Sequence, residues 1–201
     1  MIDNKVNKEL KLPCGAILKN RIVKSAMTER ISNRKFEPTN GHITLYENWS
    51  ETNAGLLITG NVMVDKFHLE SAGNVCIDNE KVIDKAREWA NAGKRYGNHI
   101  WMQISHAGRQ TNKFNARRPL APSEVKLNKI GLFGKPRSMS ETDIQEVIKG
   151  FVKTADYAKQ AGFTGIQLHA AHGYLLSQFL SPNINVRTDK WGEIPADFGR
   201  K

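Results

Sequence analysis

The chain has 201 residues, of which 39 % are hydrophobic and 25 % are charged, and its formal net charge is +10. This composition is typical of one folded globular domain and excludes a disordered or fibrous protein. No run approaches the ~20 apolar residues of a membrane-spanning helix, and the N-terminal segment MIDNKVNKELKL lacks the apolar stretch of a secretory signal. We therefore expect a cytoplasmic protein with no membrane partner.

Strand-like and helix-like segments alternate along the first third of the chain. Residues 1–19 contain two short apolar segments around a Pro-Cys-Gly turn, which predicts a small β-hairpin. Residues 20–28 and 55–64 are predicted to be buried strands, and the second is a nearly continuous apolar run of the kind found in parallel sheets. A short helix is predicted between them, over residues 43–49.

The alternation continues with a second helix and a third strand. Asn79 predicts the cap of a helix whose apolar residues recur at helical spacing over 82–90. Gly93 and Gly97 are predicted to end this helix. Residues 99–105 predict the third strand.

A strongly amphipathic helix is predicted next. Ser140 and Asp143 form a capping pair at its start, and Gly162 stands where a left-handed cap favours glycine. A fourth strand over 165–169 and the start of a fourth helix over 174–180 follow. The apolar stripe of the long helix consists of Ile144, Val147, Ile148, Phe151, Val152, Ala155 and Ala158.

Strands that alternate with helices predict βαβ units and a parallel sheet. Two arrangements fit, a doubly wound open sheet and a (β/α)₈ barrel, and the missing GxGxxG after the first strand counts against the first. We predict the α/β fold of a (β/α)₈ TIM barrel, with an N-terminal hairpin and only the first four βα units, over residues 20–192. Polar residues follow all four strands, where barrel enzymes keep their chemistry: Ser25 and Thr28, Thr59 and Asn61, Gln103 and Ser105, His169 and His172.

The basic residues and the cysteines are weak indications of a ligand. Residues 113–138 carry seven basic side chains against the single acidic Glu124, and their prolines and glycines predict a loop. Such a loop could attract phosphates or an anionic ligand, but a solvated surface is the simpler explanation and no nucleic-acid motif accompanies it. Cys14 and Cys76 show no CxxC spacing, so we expect two free thiols and neither a disulfide nor a zinc site.

Several segments together resemble one enzyme family. The block His169-Ala-Ala-His172-Gly-Tyr174-Leu-Leu-Ser-Gln-Phe-Leu-Ser-Pro182 closely resembles the old yellow enzyme family of NADH:flavin oxidoreductases. Further segments agree in order and spacing: NRIV at 20–23 followed by Met27 and Thr28, GLLIT at 55–59, QISHAGR at 103–109, LAPS at 120–123 and RTD at 187–189. The resemblance covers roughly residues 5–192.

The resemblance implies a non-covalent FMN enzyme. Members take a hydride from NADH or NADPH and pass it to the β-carbon of an α,β-unsaturated carbonyl compound. His169 and His172 are then expected to donate hydrogen bonds to the substrate carbonyl oxygen, where charge develops, and Tyr174 to deliver a proton to the α-carbon. Thr28 is expected to bond the flavin C4 carbonyl and Gln103 the pyrimidine edge. Four further residues are expected to line the flavin: Ser25, Ala26, Met27 and Asn61.

Simpler explanations stand beside these roles. His169 and His172 could be metal ligands, although a bare HxxH pair lacks a third ligand, or they could cap or pack a helix. Gln103 could be an amide satisfied within its strand, and Thr28 an ordinary strand residue. Family members often have proline at the position of Ala26 and a small residue at the position of Asn61, so the flavin pocket could differ here.

The resemblance ends close to Gly192. The family continues with a Gly-Ser/Asn-x-Glu-Asn-Arg segment, whereas residues 193–201 form a divergent tail, and the strands that carry the phosphate site do not follow. We therefore expect weak FMN binding and two unpaired sheet edges, and a frameshifted or prematurely ended reading frame is our hypothesis. One alternative is an inactive half-barrel remnant that folds or forms a homo-oligomer without FMN. Another is an anion- or nucleic-acid-binding module built on residues 113–138.

Overall fold

The computed structural model describes residues 5–129 and 131–192. Residues 1–4 of the predicted hairpin segment and the divergent tail predicted over 193–201 lie outside the described residues. A 3₁₀ helix over Lys5–Asn7 precedes strands β1 (Leu10–Lys11) and β2 (Ile17–Leu18), which pair antiparallel. The N-terminal hairpin is therefore confirmed.

The main sheet is parallel, and its strands lie in the order β3 (Val23–Lys24), β4 (Leu56–Met63), β6 (His99–Ser105) and β9 (Gly165–Leu168), with β5 (Val75–Cys76) beside the end of β4. A parallel sheet with crossover helices confirms the predicted α/β fold. Strands β7 (Leu120–Ala121) and β8 (Arg137–Ser138) form a separate parallel pair.

Within residues 5–129 and 131–192, four α-helices cover one face of the sheet or follow its strands: α1 (Asn40–Glu51), α2 (Ile83–Lys94), α3 (Glu141–Gln160) and α4 (Leu175–Phe179). Short 3₁₀ helices span Glu80–Val82 and Gly108–Gln110. The predicted caps are confirmed, because Asn79 accepts from the Lys81 N–H, and Ser140 and Asp143 form a reciprocal capping box. Gly162 has φ +86, which favours glycine.

The core lies between the sheet and helices α1, α2 and α3. All of β4 is buried, as expected for a strand covered on both faces, and its Leu57 packs on the helix side. Trp89 of α2 is fully buried and meets the rings of Tyr46 and Phe163 edge to face. Burying one large apolar side chain of this kind stabilises the folded state by about 1.5–3 kcal/mol. The packing between the helices and the sheet therefore holds the strand ends in place.

Two local predictions are wrong. The strand predicted over 20–28 reduces to Val23–Lys24 and is not buried, since β3 is an edge strand and Val23 is 45 % exposed. Ile148 and Val152 of the predicted stripe are exposed, since no described element covers that side of α3. The predicted end of α2 agrees with the structure, because the helix ends at Lys94, directly after Gly93, and Gly97 follows with φ 74.

The described residues of the basic segment, 113–129 and 131–138, form a long loop that contains the parallel pair β7 and β8. Cys14 is exposed and Cys76 is buried, and both are free, as predicted. No helix in the described part of the chain combines the length and the apolar character that crossing a membrane requires.

Candidate active site

A cavity of about 650 Å³ opens at the carboxyl ends of β3, β4, β6 and β9. This volume lies within the ~300–1,000 Å³ of small-molecule sites. All the predicted site residues except Met27 line it: Ser25, Ala26, Thr28, Asn61, Gln103, His169, His172 and Tyr174. The Met27 side chain is 54 % exposed and does not line the cavity. A second cavity of similar volume, beside Cys76 and Tyr157, is lined by none of the predicted site residues.

Three rings meet at one wall of the cavity. The ring centroid of His169 lies 5.1 Å from that of His172 and 4.8 Å from that of Tyr174, and the two outer rings are 6.1 Å apart. The chain turns sharply here, because His172 and Gly173 both have left-handed backbones, with φ 56 and φ 74. Gln110 Nε2 donates a hydrogen bond to the His172 carbonyl at 2.5 Å and holds the turn.

His169 is fixed in one tautomer. The backbone N–H of Ala171 donates to His169 Nδ1 at 3.2 Å, so in the neutral ring the proton is on Nε2. Burial, and then the charge of His172, lower the pKa of His169, which keeps the ring neutral near pH 7. The side chain therefore presents an N–H donor to the cavity.

Tyr174 is a protonated phenol over a wide pH range. Burial, followed by the negative charge of Glu70, raises its pKa to about 12, while the Asn61 amide acts in the opposite direction. Tyr174 also stands at the N-cap of α4, where the helix fixes its backbone. A neutral phenol next to two imidazoles can donate a proton or a hydrogen bond to a ligand.

A bulge positions Asn61 at the end of β4. The register between β4 and β6 shifts between Ile58 and Asn61, and Gly60 lies so close to the Met27 carbonyl that a side chain would not fit. Asn61 Oδ1 is buried without a hydrogen-bond partner in the described part of the chain. Since buried acceptors are normally paired, a ligand that carries a hydrogen-bond donor fits here.

Two groups were missed by the sequence reasoning. Gln167 lines the cavity and accepts a hydrogen bond from Gln103 Nε2 at 2.7 Å. Its polar character within an otherwise apolar strand was the available signal. Asp65, His68 and His106 bring their ligand atoms within 4.8 Å of one another outside the cavity, and nothing in their spacing along the chain indicates this.

The comparisons with known proteins agree on one family. Residues 12–195 match the model of the NADH:flavin oxidoreductase / NADH oxidase family. The chain is 39 % identical to the NADH-dependent flavin oxidoreductase nadA of Aspergillus parasiticus, over 86 % of the chain and 42 % of the relative. It is 38 % identical to an NADH oxidase of Thermoanaerobacter brockii, over 88 % of the chain and 27 % of the relative.

Solved structures share the fold. The old yellow enzyme homologue of Zymomonas mobilis has a TM-score of 0.85 at 24 % identity, and the match covers 94 % of this chain and 55 % of that one. Morphinone reductase has a TM-score of 0.85 at 23 % identity, with 94 % and 54 % covered. The chain thus spans about half the length of these barrels, which confirms the partial barrel. It belongs to the NADH:flavin oxidoreductase / NADH oxidase family, whose members are enzymes with FMN as cofactor.

Proposed function

We propose that the protein is an FMN-dependent oxidoreductase that uses NADH or NADPH to reduce the C=C bond of α,β-unsaturated carbonyl compounds such as enones and enals. One observation carries the proposal: His169, His172 and Tyr174 lie on one cavity with Thr28, Asn61 and Gln103. Family membership supports the cofactor, and relatives named as NADH-dependent flavin oxidoreductases and NADPH dehydrogenases support a nicotinamide donor.

FMN, when bound, supplies the hydride for the substrate β-carbon. The residues proposed to hold it are Ser25, Ala26, Thr28, Asn61 and Gln103, which line the cavity, whereas Met27 does not. His169, through Nε2–H, and His172 donate hydrogen bonds to the substrate carbonyl oxygen, where negative charge grows as the hydride arrives. Tyr174 donates its phenolic proton to the α-carbon and regains one from solvent, so the C=C bond gains one hydride and one proton.

A titration with a phenol tests the proposal. The chain is purified from a host with ample FMN, and p-hydroxybenzaldehyde is added while the visible spectrum is recorded. We expect yellow protein and a long-wavelength charge-transfer band, which His172→Ala abolishes because the phenolate loses a hydrogen-bond donor. A colourless protein, or an unchanged band in the variant, contradicts the assignment.

The two edges of the sheet and a nearby apolar groove support a second proposal. Further barrel strands are proposed to pair with the edge strands β3 and β9. An apolar groove of about 550 Å³ lies between α3 and α4, and the neighbouring Leu168 and Val152 are 53 % and 65 % exposed. These strands belong either to more polypeptide or to a second copy of the chain. Light scattering tests the second copy, because a dimer supports it and a monomer contradicts it. The flavin spectrum separates the FMN-free remnant, which is colourless, from the enzyme, which is yellow. The cytoplasmic location stays a prediction.

A further inference from the structure

Three side-chain amides form a row across the sheet at the level of the cavity. The register pairs Asn61 of β4 with Gln103 of β6, and Gln103 with Gln167 of β9. All three residues line the cavity. Gln103 is 8 % exposed, so its polar atoms need partners from the protein or from a ligand.

Hydrogen bonding within the row uses one end of the Gln103 amide. Gln103 Nε2 donates to Gln167 Oε1 at 2.7 Å, and no donor among residues 5–129 and 131–192 reaches Gln103 Oε1. The oxygen and the nitrogen of a carboxamide lie at opposite ends of a rigid plane. In this orientation the nitrogen lies toward β9 and the oxygen is the atom offered to a ligand.

Nearby polar groups do not fix this orientation. Thr59 Oγ1 accepts from the backbone N–H of Gln103 at 2.9 Å and donates to the Gly60 carbonyl, so its hydroxyl serves the strand. Asn61 Oδ1 is buried without a partner in the described residues, and as an acceptor it cannot hold the Gln103 oxygen. The Gln103 side chain consequently depends on Gln167.

We propose that Gln167 is a positioning residue that holds the Gln103 amide so that Oε1 faces the cofactor and selects a ring with an N–H donor on its edge. The inference rests on the proposed function, because the donor it assigns is N3–H of the flavin pyrimidine. Without Gln167, the Gln103 amide can rotate by half a turn and point its N–H groups at the flavin N3–H. Two donors then face each other and no hydrogen bond forms.

The preference for FMN over 3-methyl-FMN measures this orientation, since the methyl group removes the N3–H donor. Fluorescence quenching gives both dissociation constants for the full chain. We expect the wild type to bind FMN about tenfold more tightly than the methylated flavin, since the methyl group leaves a buried acceptor unpaired. Gln167→Met reduces this preference to about threefold or less. Gln167→Glu keeps an acceptor for Gln103 Nε2 and keeps the preference, and Gln145→Met on the exposed side of α3 is the matched control.

An unchanged preference in Gln167→Met, or its loss in Gln167→Glu, overturns the inference. Side-chain amide NMR of the flavin-free wild type gives a separate readout: one Gln103 Nε2 proton exchanges slowly because it is bonded to Gln167. Slow exchange that persists in Gln167→Glu and disappears in Gln167→Met supports the inference, and rapid exchange in the wild type overturns it even where the variants do not fold. A wild type that binds neither flavin but shows the slow proton refutes the proposed function while the orienting bond stands.

Discussion

The backbone N–H of Gly60 donates a hydrogen bond to Glu29 Oε1 at 2.9 Å and joins the bulge of β4 to the segment after β3. The buried phenol of Tyr46 donates to the same oxygen at 2.5 Å. Glu29 directly follows Thr28, and Gly60 directly precedes Asn61. This carboxylate therefore fixes the spacing between two residues proposed to hold the flavin.

Glu29→Ala is expected to weaken both the fold and the cavity. The Gly60 N–H and the Tyr46 hydroxyl lose their acceptor, and each unpaired buried group costs about 1–3 kcal/mol. We expect the free energy of unfolding to fall by about 2–4 kcal/mol in urea titrations, together with weaker FMN binding. Glu29→Gln, which keeps an acceptor oxygen, is expected to lose about 1 kcal/mol. An effect no larger than that of Glu51→Ala, an exposed site on α1, contradicts the role.

Lys24 gives the fold a pH dependence. Its ammonium donates to the Ile58 carbonyl at 2.8 Å and lies 4.0 Å from the ring centre of Trp49. Burial lowers the pKa of Lys24 to about 8, and the carboxylate of Glu29 partly opposes this. Between pH 8 and about 10 the unfolded chain, whose lysine pKa is about 10.4, binds more protons than the folded chain. The free energy of unfolding therefore rises with pH across this window.

The expected rise between pH 7.5 and pH 9.5 is about 2 kcal/mol, and its absence from Lys24→Met identifies the source. Urea titrations at pH 7.5 and pH 9.5 measure it for both proteins. Other groups that titrate in this range contribute equally to the two chains, so only the difference between them is compared. Curves that run parallel with pH would show that Lys24 is not desolvated in the folded protein.

Tyr174→Phe separates proton delivery from cofactor reduction. The phenol is the proposed acid for the substrate α-carbon, and its pKa of about 12 keeps it protonated across the assay range. We expect the enone half-reaction to slow by about 10²–10³-fold, with a flat pH profile from pH 7 to 9 in the wild type, while the NADH half-reaction changes little. Stopped-flow absorbance measures both steps. Tyr96→Phe, at a half-exposed tyrosine, is the control, and equal losses in both half-reactions would assign Tyr174 to binding instead.

The elements with strong local signals were predictable from the sequence. The capping pair of Ser140 and Asp143 and the left-handed Gly162 bound α3 because each signal acts within a few residues. The exposure of Val152 was not predictable, since helical spacing identifies an apolar stripe but not what covers it. The resemblance placed the site residues at strand ends, and the parallel sheet brings them to one edge.

Contacts between distant segments account for the rest of the candidate site. The Gln103–Gln167 bond joins residues 64 positions apart, and it depends on a register that neither strand specifies alone. Met27 was assigned to the flavin through its neighbours in the motif, yet side chains in extended segments alternate and this one points away from the cavity. A bulge such as that at Gly60 likewise depends on its partner strand.

Asp65, His68 and His106 lie close enough together for a metal site, but the two histidine rings carry their protons on the nitrogens that a metal ion would use. The backbone N–H of Leu120 donates to His68 Nε2 at 3.3 Å, and that of Gly108 donates to His106 Nδ1 at 3.0 Å. Each neutral ring therefore has its proton on the nitrogen that faces Asp65. His68 Nδ1 bonds Asp65 Oδ2, and burial with the neighbouring His68 lowers the pKa of His106. A metal ion needs lone pairs on the nitrogens that face the carboxylate.

We accordingly expect stoichiometric Zn²⁺ or Co²⁺ to leave the melting temperature unchanged, and Co²⁺ to give no visible ligand-field bands. Asp65→Ala removes the acceptor that His68 uses and leaves a buried donor unpaired, which is expected to cost about 1–3 kcal/mol of unfolding free energy. If Asp65→Ala loses the same unfolding free energy with and without a chelator, the Asp65 carboxylate acts as a hydrogen-bond acceptor and not as a metal ligand. A melting temperature that rises with Zn²⁺ in the wild type but not in Asp65→Ala would show instead that both rings change tautomer to bind a metal ion.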